Sequence, residues 1–443
     1  MILKIKFVLT FGLFAMMANA FAQPILTLNE AIKIGLENNY SLKISKNDLT
    51  IADNNVSLAN AGILPRVDFN VTDNNSITNT EQELSNGIIQ KSANANNTNL
   101  AYGPVLSWRI FDGFGMFARY DQLEELKKIG EQNLNLTIQN TIAQISTVYF
   151  DLVQQKKQME ALKSAIEIST IRLRNSQSRF EIGKAAKLEV LAAKVDLNTD
   201  TTNLLRQQNL FANTKIQLNE LIARESIIDF EVLDTIINNQ IFEYADLESK
   251  ISNQNPEIQS AIYTEMVANF NRKQVRALRY PQVSVSTGYN FSRSTSDLGF
   301  ARSSQNRGLN YGFTASIPLF NGLLQKRNEK NATISIESAR FQKEEITLNI
   351  TSRLRSEYQT YLTNERLTSL EKRNVEIAKQ NLQVSFDKFS LGSVAPLELR
   401  EAQRNFIDAN TRFSLAQFDL KISEINLLQL SGQLLTKTSE LKQ

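Results

Sequence analysis

Large apolar residues recur at every seventh position along stretches longer than most globular helices. This beat constrains the chain more than any other feature. Leu399, Phe406, Phe413, Leu420 and Leu427 fall seven apart, and Ala402, Ala409, Ala416, Ser423 and Leu430 follow three positions behind. Val190, Leu197, Leu204, Phe211 and Leu218 form the same column earlier in the chain. A further column runs through Ile138, Ile145, Leu152, Met159, Ile166, Leu173 and Phe180. Strict sevens predict helices that coil around neighbours with a left-handed supercoil. Between Gly115 and Ile182 only Gly130 interrupts, and between Gly322 and Leu391 there is no proline or internal glycine. Each stretch predicts one helix of about 70 residues, or about 105 Å. Composition agrees, because Gly 16 and Pro 7 in 443 residues are about 5% against an average near 12%. Few turns imply long elements.

The chain also repeats itself once. Leu64-Pro65-Arg66-Val67 aligns with Tyr280-Pro281-Gln282-Val283, and Asn39-Tyr40-Ser41-Leu42 with Asn255-Pro256-Glu257-Ile258, both at an offset of 216. Ile110-Phe111-Asp112-Gly113 aligns with Leu319-Phe320-Asn321-Gly322, and Phe180-Glu181-Ile182-Gly183 with Phe389-Ser390-Leu391-Gly392, both at 209. The offset changes inside the polar stretch around 74–96, which reads as a surface loop. A second polar stretch around 292–308 reads the same way.

Each copy interrupts its helices with a period of two. Val283, Val285, Thr287, Tyr289 and Phe291 alternate with Ser284, Ser286, Gly288 and Asn290. Leu309, Tyr311, Phe313, Ala315 and Ile317 alternate with small polar residues, and the first copy follows with Val67, Phe69, Val71, then Tyr102, Leu106, Trp108 and Ile110. These are strands with one apolar and one small polar face. Strands of about 10 residues with aromatics near their ends suit a transmembrane barrel. Four strands cannot close one, since the smallest needs about eight. The chain must therefore oligomerise, and closures of 8, 12 or 16 strands are all open on arithmetic alone.

Two zeros narrow the chemistry. Without histidine the chain lacks the commonest general base and metal ligand. Without cysteine it has no disulfide, thiolate nucleophile, cysteine-bound metal or lipidated N-terminal cysteine. No Gly-x-Ser-x-Gly, phosphate loop or metal-ligand spacing occurs, so no catalytic residue, cofactor or metal is expected, and an enzyme is not. Residues 1–22 carry Lys4 and Lys6, an apolar run from Phe7 to Met17, and small residues at Ala18, Ala20 and Ala22. That is the pattern of a cleaved secretory signal peptide. With two of the 49 basic residues in this leader, 47 oppose 46 acids. Such a balance gives no electrostatic footprint for nucleic acid. Beyond residue 22 nothing approaches the roughly 18–20 apolar residues of a transmembrane helix. The exported chain is soluble, or it enters a membrane as strands.

In the order and duplication of these segments the chain resembles the TolC-type outer membrane efflux protein family. The carriers are Leu28-Asn29-Glu30-Ala31 with Asn38-Asn39, the two proline-led strands, Ile317-Pro318-Leu319-Phe320-Asn321-Gly322, and the paired Phe-x-x-Gly motifs. The resemblance implies an α+β membrane protein. In it a homotrimer builds one 12-stranded outer membrane β-barrel, four strands per chain, continued by a 12-helix periplasmic α-barrel. It implies a channel-tunnel in the outer membrane, the passive exit duct of a tripartite efflux or type I secretion system. Its partners would be a periplasmic adaptor, an inner-membrane pump or ABC transporter, and outer membrane lipid. The expected organisation is a signal peptide (1–22), a first repeat (23–224), an equatorial linker (225–244), a second repeat (245–431) and a tail (432–443). The first repeat holds strands 65–73 and 98–111, a long helix 113–182 and a helix 185–222. The second holds strands 281–291 and 309–320, a long helix 322–391 and a helix 396–431. The linker is expected to join the tail in an equatorial collar.

A conduit's working residues are its constrictions and docking surfaces. Gly183 and Gly392 follow Phe-x-x at the helix reversals, where a C′ glycine supplies positive φ. The resemblance makes these reversals, with Phe180, the tip that meets the adaptor. Glu398 and Glu401 open the helix after Gly392. They are either solvated, with Glu401 paired to Arg404, or they form an acidic ring at the periplasmic entrance favouring cations. The first copy keeps only Glu189, with Ala192 at the second position. Phe389 and Val394 complete the candidate constriction, but they stand where the TolC-type aperture carries a tyrosine and an arginine. Closure contacts of that type therefore do not carry over. Trp108 is the candidate membrane-interface anchor, with simple packing as its alternative. The rival reading of the whole chain is a soluble periplasmic coiled-coil adaptor or scaffold, which explains the leader and heptads but not four amphipathic strands.

Overall fold

A computed structural model describes residues 25–233, 235–236, 241–297 and 301–434. The leader expected over 1–22 and the tail beyond Leu434 lie outside the described residues. The elements in order are β1 (Ile25–Leu26), α1 (Leu28–Asn38), α2 (Tyr40–Asn55), β2 (Arg66–Glu83), β3 (Ile89–Phe111), α3 (Gly115–Glu181) and α4 (Lys187–Leu221). After these come β4 (Glu231–Val232), α5 (Tyr244–Gln254), α6 (Pro256–Ala277), β5 (Gln282–Ser296), β6 (Ser303–Ser316), α7 (Leu324–Ser390) and α8 (Pro396–Leu430). The duplication is visible in lengths alone, since α3 and α7 have 67 residues each and α4 and α8 have 35 each. Among the described residues no helix is long and apolar enough to cross a membrane.

The compact units do not coincide with the repeats, because each unit draws on both copies. One unit comprises Asn47–Asn133 and Glu257–Ile346, and the other comprises Met1–Lys46, Leu134–Pro256 and Thr347–Gln443.

The first of these units holds an antiparallel sheet in the order β2-β3-β5-β6, which leaves β2 and β6 with open edges. Register sorts its side chains by parity. Val67 faces Leu106, Trp108 faces Val285, and Val285 faces Phe313, all on one apolar face. Ser284 faces Thr314 and Ser286 faces Gly312 on the other, polar face. Tyr102 stacks on Phe291 across β3 and β5, with centroids 5.2 Å apart. The strands are longer than the sequence suggested, and the polar stretches expected as loops are largely strand. Residues 74–83 pair with 89–99 as a hairpin turning at Gly87, and 291–295 pair with 303–307. The backbone ladder needs no apolar alternation, and β-branched threonines with cross-strand partners sustain it. Thr98 Oγ1 lies 2.5 Å from Thr295 Oγ1, and Lys91 Nζ lies 2.7 Å from Glu81 directly opposite. At the other end β6 stops at Ser316 rather than 320, before Pro318, which has no N–H for the ladder.

Both copies turn from strand into long helix by the same device. Asp112 Oδ1 accepts the Met116 N–H at 3.1 Å, and Asn321 Oδ1 accepts the Gln325 N–H at 3.3 Å. The next two residues are left-handed in each copy: Gly113 and Phe114 at φ 72° and 68°, Gly322 and Leu323 both at 64°.

In the second unit α1 begins with a capping box: Thr27 Oγ1 accepts the Glu30 N–H, and the Glu30 carboxylate accepts the Thr27 N–H at 2.9 Å. Those hydrogen bonds from Thr27 hold the Glu30 carboxyl below its ordinary pKa. β1 pairs in parallel with β4. The Tyr149 hydroxyl bridges them, donating to Leu26 O at 3.0 Å and accepting from Leu233 N at 3.3 Å. The linker thus joins the chain's N-terminal strand, and its expected junction with the tail lies outside the described residues. Asparagines at equivalent places stitch each helix break to the helix that ends beside it. Asn39 Nδ2 donates to Leu221 O at 2.8 Å, and Asn255 Nδ2 donates to Leu430 O at 2.9 Å.

Candidate functional site at the helical reversals

The reversal from α3 to α4 ends in a two-bond closure. Gly183 N–H donates to Phe180 O at 2.9 Å and Lys184 N–H to Arg179 O at 2.7 Å. Gly392 and Ser393 repeat it on Phe389 and Lys388, both at 2.9 Å. The glycines sit at φ 73° and 75°, and a β-carbon on either would meet nothing within 4 Å. Backbone handedness, not space, selects glycine at both points. Pro396 then takes the first turn of α8, where its missing N–H costs nothing.

Large apolar side chains remain uncovered around these turns, among them Phe180, Ile182, Leu188, Leu391 and Leu397, the last 77% exposed. The two equivalent phenylalanines differ. Phe180 is 42% exposed, whereas Phe389 is 3% exposed and packs with Leu382, Leu399 and Ala402. Within one chain Phe389 is thus a core residue of the α7–α8 pair rather than an exposed side chain. It falls seven after Leu382, a spacing that marks it as core. Val394 is half-buried beside the turn.

Glu398 and Glu401 are exposed on the first turns of α8. Among the described residues neither carboxylate is in an ion pair, and the Glu401–Arg404 pair of the alternative reading is not formed. Glu189 differs, with Ser176 Oγ at 3.2 Å and Arg179 Nη1 at 3.8 Å. Trp108 lies elsewhere, near the helix-side end of β3, where its indole N–H donates to Ile63 O at 2.8 Å. Its ring stays 42% exposed on the apolar face of the sheet.

Just inside the turns lies a polar cluster that sequence reading did not anticipate. Arg400 on α8 grips Asp200 on α4 through two hydrogen bonds, Nη1 to Oδ2 at 2.7 Å and Nη2 to Oδ1 at 2.9 Å. Ser169 on α3 donates to Asp200 Oδ2 at 2.5 Å, and Gln403 Nε2 donates to Ala165 O at 2.7 Å and Ser169 Oγ at 3.0 Å. Asp196 takes the Arg172 guanidinium and lies 3.6 Å from Arg400 Nε. Asp200 and Arg172 are each only 2% exposed. Burial works against the Arg400 charge, but the hydrogen bonds and charge of Asp200, with Asp196 beyond, hold its pKa above the ordinary value. A groove of about 890 Å³ opens over this cluster between α4 and α8, with Leu188, Ala192, Leu397 and Ile407 on its walls. The cluster ties three helices from both copies together. Among the described residues no group of three acidic side chains is placed to hold a metal.

Comparison with known proteins agrees with this architecture. The family model described as "Outer membrane efflux protein" matches residues 31–224 and 247–433. Outer membrane protein TolC of Vibrio cholerae serotype O1 is 21% identical over 318 residues, covering 71% of this chain and 72% of that protein. The Campylobacter jejuni CmeC outer membrane channel superposes with a TM-score of 0.77 at 18% identity, covering 93% of this chain and 88% of CmeC. The outer membrane protein VceC of Vibrio cholerae gives 0.73 at 15% identity, covering 91% and 96%.

Proposed function

Because this chain belongs to the outer membrane efflux protein family, we propose that three copies close its four-stranded sheet into one barrel continued by a helical tunnel. The chain is an outer membrane channel, the exit duct of an efflux system. The observation that carries the trimer reading is the pair of unmatched flanks on each chain. β2 and β6 have open edges, and an isolated amphipathic sheet must close on itself to leave no edge in lipid. The helices repeat the pattern. Leu370, Ile377 and Val384 form an exposed heptad stripe on α7, continued by Leu391 just beyond its end, and exposed Leu188 and Val195 fall seven apart on α4. Heads of one copy meeting tails of the next satisfy both flanks and generate a ring. The number three comes from the family resemblance. A soluble adaptor has no use for such a sheet, and that rival reading is set aside.

Within this reading, Glu398 and Glu401 face the periplasmic entrance, and the exposed turns at Gly183 and Gly392, with Phe180, receive a periplasmic adaptor that links the duct to an inner-membrane pump. The Arg400–Asp200 cluster holds the two helical hairpins of one copy together and so keeps the entrance narrow. No catalytic step is assigned. Purification from outer membranes followed by oligomeric mass and planar-bilayer conductance tests the proposal. A trimeric mass with discrete conductance steps is expected, and a non-conducting monomer overturns it.

A further inference from the structure

The apolar face of the sheet carries two arginines at one height. β5 leaves α6 at Gln282 and runs outward, so Tyr289, Phe291 and Arg293 succeed one another away from the helices on the same face. Arg307 on β6 lies directly opposite Phe291, and Arg293 lies opposite Gln305. The two arginines are thus diagonal neighbours, about 7–8 Å apart along the backbone and within mutual reach of long side chains. Immediately on the helix side of them is an aromatic cluster, Phe291 with Tyr102 at 5.2 Å and Tyr289 at 5.0 Å.

Three observations select what these guanidiniums meet. Both are exposed, and among the described residues neither is in an ion pair or hydrogen bond with another side chain. The opposite face at this height carries Ser292, Ser294 and Asn306 and no charge. Charges serving only solubility would sit as well there, yet both arginines stand on the apolar side. They also mark the place where apolar positions give way to polar ones, directly beyond aromatic rings of the kind that settle at a membrane interface. A side chain at that level has lipid headgroups as neighbours. Guanidinium forks match phosphate oxygens in a way an ammonium does not.

We infer that Arg293 and Arg307 form a binding site for the phosphate of a phosphorylated lipid in the outward-facing leaflet, one site per copy around the barrel. The inference rests on the sheet being the membrane wall, as proposed above. Among the described residues Asp73 is the one acid on the same face at this height, opposite Leu100 and one strand removed from Arg293. In the closed barrel it lies on the strand that meets β6 of the next copy, so the test includes it.

The oligomer is reconstituted in phosphatidylethanolamine nanodiscs doped with either diphosphoryl lipid A or its dephosphorylated form, and retained lipids are counted by native mass spectrometry. The wild type is expected to retain diphosphoryl lipid A about tenfold more than R293Q/R307Q. It should retain the dephosphorylated lipid no better than the variant does, and millimolar inorganic phosphate should not displace the lipid. Equal retention by wild type and variant overturns the site, as does displacement by free phosphate. Loss of oligomer in R307Q matched by D73N also overturns it, placing Arg307 on the next copy's Asp73. The same spectra report assembly, and single variants R293Q and R307Q are read if the double variant does not assemble. A protein that fails to enter nanodiscs refutes the membrane reading itself, whereas entry with arginine-independent lipid retention refutes only this site.

Discussion

Arg400 and Asp200 stand 200 positions apart in sequence, on helices from different copies of the duplication, yet their side chains lie parallel with bonds of 2.7 and 2.9 Å. With Asp200 almost wholly buried, the pair is an interior contact between repeats. Removing Asp200 leaves the half-buried Arg400 with only Asp196, 3.6 Å from its Nε, and breaking a buried pair in this way costs up to about 3–5 kcal/mol. Asp200→Ala is therefore expected to lower the denaturation midpoint far more than the apolar double substitution D200L/R400M. If the pair also holds the entrance narrow, D200L/R400M conducts more than wild type in planar bilayers. A double-variant loss equal to the sum of the two single losses would show that the pair contributes nothing as a pair.

The two asparagine stitches offer an internal control. Asn255 is 3% exposed, whereas Asn39 is part-exposed, and each bonds the last carbonyls of a neighbouring helix. Leaving a buried carbonyl unpaired costs about 1–3 kcal/mol, and less where water can replace the donor. Asn255→Ala is expected to destabilise by about 2 kcal/mol and Asn39→Ala by distinctly less, measured by denaturant unfolding of the purified protein.

What could be read in the sequence was whatever repeats with a fixed period. The helices obeyed the seven-residue beat, and their reversals were marked by Gly183 and Gly392 because only the left-handed conformation closes those turns. The strand ends could not be read, because Asn74 to Asn96 pairs through backbone groups that any side chain carries. The cluster around Asp200 was hidden for another reason, since its partners are distant in sequence. A signal existed nonetheless. The small column Ala402, Ala409, Ala416 and Ser423 corresponds in the first copy to Ala193, Asp200, Gln207 and Thr214, all buried. Polar residues in a core column of one copy alone point to interactions the duplication does not share.

Asp151 on α3 is half-buried and accepts a hydrogen bond from Gln155 Nε2 at 2.9 Å, and burial raises its pKa above the ordinary aspartate value. A carboxyl whose folded pKa is raised binds more protons folded than unfolded, so its contribution falls as pH rises from the ordinary value through the raised one. Asp151→Asn keeps the acceptor and removes the charge. It is expected to raise the melting temperature at pH 7, with the gain vanishing below about pH 3.9, the unfolded aspartate value. A gain independent of pH would assign the effect to packing.

Glu398 and Glu401 lie three apart on one helix face, exposed and without cations beside them among the described residues. Their charge is open to solvent, and on the proposed reading three copies would bring six carboxylates to one entrance. Replacing both with glutamine is expected to shift the reversal potential in a salt gradient toward zero, with cation preference reduced several-fold. Unchanged selectivity would place these residues outside the conduction path.

The ends of α4 and α8 close by the same turn but with different residues at its left-handed position. Ala223 adopts φ 52° where its counterpart, Gly432, adopts 77°. The hydrogen bonds match, with Arg224 N–H to Asn219 O at 2.8 Å and Gln433 N–H to Leu428 O at 2.8 Å. Alanine in this conformation carries a steric cost of about 1–2 kcal/mol that glycine lacks. The partly offsetting entropy of a glycine in the unfolded chain is about 0.5–1 kcal/mol. Ala223→Gly is therefore expected to stabilise by up to about 1 kcal/mol. The reverse change has a second cost, because a β-carbon at Gly432 would lie 2.3 Å from the Gln254 carbonyl oxygen. Gly432→Ala must move backbone and is expected to destabilise by more than Ala223→Gly gains, with the chemical-denaturation midpoints of the two variants falling on opposite sides of wild type.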